Sequence, residues 1–74
     1  MRGISTAGLR AWVRNWGFAS IRVGDTTEVL QRQRDGRVET TWLPVDIEDR
    51  TPEHRYALLV RIAVDHGEEV PEPD

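Results

Sequence analysis

Glu28-Val29-Leu30-Gln31-Arg32-Gln33-Arg34-Asp35-Gly36-Arg37-Val38-Glu39-Thr40-Thr41-Trp42-Leu43-Pro44-Val45 is the stretch on which the fold turns. Two runs rich in strand-forming residues flank Asp35-Gly36. An Asp-Gly pair supplies the two positive-φ positions of a two-residue type I′ turn, so the pairing can be written residue by residue. Arg34 faces Arg37, Gln33 faces Val38, Arg32 faces Glu39, Gln31 faces Thr40, Leu30 faces Thr41 and Val29 faces Trp42. In this register Val29, Val38 and Trp42 share one face, while Arg32, Arg34, Arg37 and Glu39 share the other, and the apolar set is the expected core face. Arg34 beside Arg37 is a like-charge pair that breaks the local logic of the hairpin. Pro44 cannot donate to a neighbouring strand and ends the ladder.

Upstream, Phe18 to Val23 reads as a short strand and Gly24-Asp25 as the turn into the hairpin. Before it, Leu9, Trp12, Val13 and Trp16 recur at i, i+3, i+4 and i+7, which predicts an amphipathic helix from about Ser5 to Trp16. Ser5 or Thr6 is its N-cap and Gly17 its stop, with Phe18 placed to fold back on Val13.

Downstream, Val45 to Arg50 is an acidic connection, and Thr51-Pro52-Glu53 is a helix start: a cap, a proline at the first position and an acid near the positive end of the dipole. The helix runs to about His66, with Gly67 as its stop. Tyr56, Leu59, Val60 and Ala63 form the centre of its apolar arc, with Leu58 and Ile62 on one shoulder and Ala57 and Val64 on the other. Only His54, Arg61 and Asp65 make a compact polar stripe. These elements predict an α+β fold of order α-β-β-β-α, a three-stranded antiparallel meander with both helices packed on one face. Residues 1–67 form a single small domain, and residues 68–74, acidic and containing Pro71 and Pro73, are an expected disordered tail.

A chain of 74 residues buries a smaller fraction of its surface than a typical domain of a hundred or more, so its core is thin and small domains of this kind lean on disulfides, metals or a second subunit. The absence of cysteine removes disulfides, thiol redox chemistry and thiolate zinc sites. No apolar run is long enough for a signal peptide or a membrane span, which leads to the expectation of a cytoplasmic protein without membrane association. All ten cations are arginine, so Schiff-base chemistry on lysine is closed. This usage, with the Ala, Val, Gly and Asp content, suggests a GC-rich bacterial or phage genome. The net charge of −3 is uneven: residues 1–37 carry +4 and residues 38–74 carry −7.

Site chemistry is sparse. Helical rise puts His54 and His66 about 18 Å apart, too far to share a metal or relay a proton, and His66 in the last turn complements the helix dipole. Asp46, Glu48, Asp49 and Glu53 lack the glycine-punctuated spacing of a calcium loop. Ser5 and Ser20 have no base at a motif spacing, and Gly24 and Gly36 belong to turns rather than to a phosphate cradle. The expectation is a non-enzyme with no catalytic residue, metal, cofactor or small-molecule substrate.

The order helix, three strands, helix resembles that of the double-stranded RNA-binding fold over most of the chain. Members of that family hold a lysine-rich stretch at the start of the second helix, where this chain has Thr51-Pro52-Glu53-His54-Arg55 preceded by Glu48 and Asp49. Those acids repel phosphate, so the resemblance implies architecture without RNA binding.

Two binding surfaces remain. The first is a shoulder of the last helix, Leu58 with Ile62 or Ala57 with Val64, which a three-stranded sheet and one helix leave uncovered unless the Val45–Arg50 connection folds over it. An apolar patch there suits a homodimer or a protein partner. The leading expectation is therefore a protein-protein interaction or assembly module, a bacterial or phage accessory or regulatory protein. The alternative is a nucleic-acid-binding protein using Arg22, Arg32, Arg34 and Arg37 around the hairpin tip. Against it stand a pI of about 5.3 and an expected exposed sheet face with no aromatic for base stacking.

Overall fold

A computed structural model describes residues 2–73, which leaves Met1 and Asp74, the outer ends of the expected domain and tail, outside the described residues. The element order is α1 (Thr6–Asn15), β1 (Ala19–Val23), β2 (Thr27–Arg34), β3 (Arg37–Pro44), a short 3-10 turn (Ile47–Asp49) and α2 (Pro52–Asp65). The three strands form one antiparallel sheet in the order β1-β2-β3. This is the expected α-β-β-β-α arrangement.

The helix ends are fixed by local chemistry. Ser5 Oγ accepts from the Gly8 N–H at 3.0 Å, and Thr51 Oγ1 accepts from the His54 N–H at 3.1 Å, so each helix has a side-chain N-cap. Both helices close in the same way. Gly17 and Gly67 adopt φ of 91° and 70°, and the residue after each glycine donates back to the third residue before the cap: Phe18 N–H to the Val13 carbonyl at 3.2 Å, Glu68 N–H to the Ala63 carbonyl at 2.8 Å. These closures aim Phe18 and Glu68 toward the same strand, β2.

The β2–β3 register is the one that Asp35-Gly36 dictates, from Arg34 opposite Arg37 to Val29 opposite Trp42. Asp35 and Gly36 have φ of 53° and 75°, as a type I′ turn demands. Between β1 and β2 the register shifts between Ser20 and Arg22, so Ile21 is an inserted bulge residue.

The face assignment is the reverse of the expectation. Glu28, Leu30 and Arg32 from β2 and Thr41 and Leu43 from β3 are buried against the helices, while Val38 and Trp42 are 59% and 48% exposed on the opposite side. The core gathers Leu9, Val13 and Phe18 from the first helix and its closure, Leu30 and Leu43 from the sheet, and Leu58, Leu59 and Ile62 from α2. Hydrophobicity counted within the hairpin favours Val29, Val38 and Trp42, because turning the other face inward also buries Glu28 and Arg32. That burial is tolerated because each charge meets a partner from outside the hairpin: Arg10 of α1 grips Glu28 through two bonds of 3.0 and 3.3 Å, and Glu68, together with the cross-strand Glu39, grips Arg32.

Two peripheral segments complete the core. Ile4 and Ile47 are each 1% exposed. The Ile4 N–H donates to the Pro52 carbonyl, and a Cβ on Gly3 would stand 2.8 Å from the Pro52 Cβ, so the N-terminal segment lies tight on the start of α2. Arg55, itself buried, donates to the carbonyls of Ile4, Ile47 and Arg50 and ties the connection to the N-terminal segment.

Candidate functional site

The expected interface on α2 divides in two. Leu58 and Ile62 are 8% and 0% exposed and belong to the core. The connection supplies Ile47 to that core, so this shoulder is not a docking surface. Ala57 and Val64 are exposed, Val64 at 68%. Arg61 lies on the same side of the helix, donates to the Trp42 carbonyl at the free edge of β3, and stacks its guanidinium 4.1 Å from the centre of the Trp42 ring. Burial lowers the Arg61 pKa, and Asp65 opposes that shift.

A second exposed apolar surface is the outer face of the sheet, where Arg61 covers one side of the Trp42 ring. Trp42 and Val38 are exposed beside half-buried Val29, and Gln31, Thr40 and Gln33 lie between and beside them. Gln31 and Thr40 join side chains across the strands at 3.3 Å. The strand positions of this face carry one charge, Arg22, and no carboxylate. The face does present an aromatic, contrary to the expectation, because Trp42 points outward.

The four arginines considered for nucleic acid are not brought together as a free patch. Arg32 is at the centre of the structure: its side chain is 4% exposed, it meets Glu39 and Glu68 at 2.6 Å each, and it donates to the carbonyls of Trp16 and His66, the C-cap residues of α1 and α2. Its guanidinium also lies 4.6 Å over the Phe18 ring. One cation thus answers the negative ends of both helix dipoles. Burial works against its charge, but the hydrogen bonds it donates to Glu68 and Glu39 outweigh that and raise its pKa. Arg34 donates to Glu68 and the His66 carbonyl, which removes the strain of its pairing with Arg37. Of these four, Arg22 and Arg37 are exposed and form no ion pair among the described residues.

His66 has a different place from the one its position in the last turn suggested. Its ring meets Phe18 edge-on at 5.0 Å and its Nδ1 lies 3.4 Å from Glu39 Oε1, so it closes the space around Arg32. His54 stands beside Arg50. Among the described residues no three metal-ligating side chains converge, and no helix is long and apolar enough to cross a membrane.

No family model, curated protein or solved structure matches the chain. The resemblance to the double-stranded RNA-binding fold is therefore one of element order alone.

The tail is the site feature that sequence reading missed. Residues 68–73 are held at two points rather than disordered: Glu68 by Arg32 and Arg34, and Pro71, buried, by a 2.7 Å bond from the Tyr56 hydroxyl to its carbonyl. Between the tail and α1 lies a cleft of about 750 Å³. A sequence signal existed in the buried-strand arginine, since Arg32 on a face with Leu30 and Leu43 needs an acid from elsewhere, and the acids are concentrated after residue 38.

Proposed function

We propose that the chain is a non-catalytic protein-interaction and assembly module that docks through the open face of its sheet, and that the occupant is a second copy. The observation that carries this reading is the exposure of Val38 and Trp42 on the outer face of the sheet, beside half-buried Val29. An antiparallel sheet commonly leaves one face in water, and such a face normally alternates to polar residues. Here the outward positions include exposed Val38 and Trp42 beside Val29, which marks an interaction surface.

Three features support self-association. The remaining strand positions on the face are mainly amides and hydroxyls, which both donate and accept, so the face can complement itself without opposing carboxylates. Arg22 is peripheral on edge strand β1 and can remain hydrated. The molecule is a slab with extents of 37 × 30 × 16 Å, whose broad face has room for the roughly 800 Å² per partner of a standard interface. Pairing two such slabs also thickens the core of a chain that has neither disulfide nor metal to staple it.

Sedimentation velocity from micromolar to millimolar concentration tests the proposal. The expected result is a concentration-dependent monomer–dimer equilibrium that Trp42→Ala with Val38→Ser abolishes and Ala57→Ser with Val64→Ser leaves in place. A strict monomer at millimolar concentration, or a dimer indifferent to the sheet substitutions, overturns it.

A further inference from the structure

The cleft between α1 and the tail is separate from the sheet face and chemically unlike it. It is lined by Trp12, Asn15 and Trp16 of α1 and its cap, by the end of β2, and by the tail from Glu68 to Glu72. The Trp12 and Trp16 rings stand 6.0 Å apart at 44°, a stepped aromatic surface rather than a closed stack, and Trp12 is 37% exposed. Charge in the cleft does not cancel. Arg32 and Arg34 are matched by Glu39 and Glu68, whereas Glu69 and Glu72 are exposed and form no ion pair among the described residues.

We infer that this cleft is a docking site for a basic, extended segment of a partner protein, with an arginine or lysine side chain laid on the Trp12–Trp16 surface and facing Glu69 and Glu72. Indole faces attract cations through their quadrupole, most strongly where water is partly excluded. Carboxylates opposite the rings give the same cation charge-assisted hydrogen bonds. An acidic segment meets the opposite balance, since the two cations lining the cleft are already engaged. The volume, in the range of small-molecule and peptide pockets, accommodates more than one side chain. Because the tail is part of the lining, the site is complete only while Glu68 and Pro71 hold the tail in place.

The indole N–H signals of Trp12, Trp16 and Trp42 serve as reporters in an NMR titration of the full chain. The probe is a capped pentapeptide in which two arginines alternate with glycines, and its glutamate counterpart is the control. The arginine peptide is expected to shift Trp12 and Trp16 saturably and to leave Trp42 unmoved, with an affinity that falls about tenfold between low and high salt. Glu69→Gln with Glu72→Gln, both exposed and away from the core, is expected to weaken binding about fivefold or more with an unchanged melting temperature. No shift up to millimolar peptide, an equal response to the glutamate peptide, or a shift of Trp12 and Trp16 with protein concentration alone overturns the inference. The last result would assign the cleft to a second copy.

Discussion

Arg32 and Glu68, 36 positions apart in the chain, meet at 2.6 Å where the two helices end. The glycine closure of α2 turns Glu68 toward the sheet, and the closure of α1 brings Phe18 beneath the guanidinium of Arg32. The pair couples the middle strand, both helix C-termini and the tail through one side chain.

Breaking that junction is costly. Arg32→Met keeps much of the apolar stem but leaves Glu39 without its arginine partner, the Trp16 carbonyl without its donor, and Glu68 and the His66 carbonyl with Arg34 alone. Urea denaturation is expected to show a loss of about 3 kcal/mol, the scale for removing one partner of a buried ion pair. Arg37→Met at the exposed tip should change stability by no more than about 0.5 kcal/mol.

Acid should destabilise the fold. The bond from Arg10 holds the Glu28 carboxyl below its ordinary value of 4.5, and the bond from Arg32 does the same for Glu39. A carboxyl with a lower pKa in the folded chain binds fewer protons there than in the unfolded chain, so its stabilising effect is complete above the unfolded pKa and is lost as pH falls through the folded one. Melting temperatures followed by circular dichroism from pH 7 to pH 3 should be flat to about pH 5 and then fall. Glu28→Gln should lower the plateau and make the acid limb shallower.

Loosening the tail needs a single oxygen. Tyr56→Phe removes the donor to the Pro71 carbonyl and leaves the ring in place. Amide exchange at Glu69, Val70 and Glu72 should accelerate, while the core helices keep their protection and global stability drops by about 1 kcal/mol. Unchanged exchange across the tail would show that Glu68 alone holds it.

Gly17→Ala tests the helix closure without crowding. Its Cβ would have only the Arg32 Cβ nearby, at 4.0 Å, so the cost comes from a φ of 91° that alanine resists. A loss of about 1 kcal/mol or more in denaturant is expected.

Much of the fold is legible locally. Asp35-Gly36 sets the strand register, Ser5 and Thr51 start the helices, and Gly17 and Gly67 end them, because each acts on neighbours within a few residues. The inward face of the sheet is not legible in the same way. Within the hairpin, Val29, Val38 and Trp42 look more buried than a face bearing Glu28, Arg32 and Glu39. The decision belongs to Arg10 and Glu68, which neutralise those charges from 18 and 36 positions away. The candidate site follows the same division: the exposed shoulder Ala57 and Val64 was readable as one of two options, whereas the outward Trp42 and the cleft beside the tail were not.

The sequence by itself determined the order of elements, their caps and the strand pairing, since hydrogen-bond geometry and φ preferences are local. Which face of the sheet meets water, which arginines are free, and whether the tail is bound were decided only by tertiary structure, because a buried charge is stable or not according to partners that the chain delivers from far along its length.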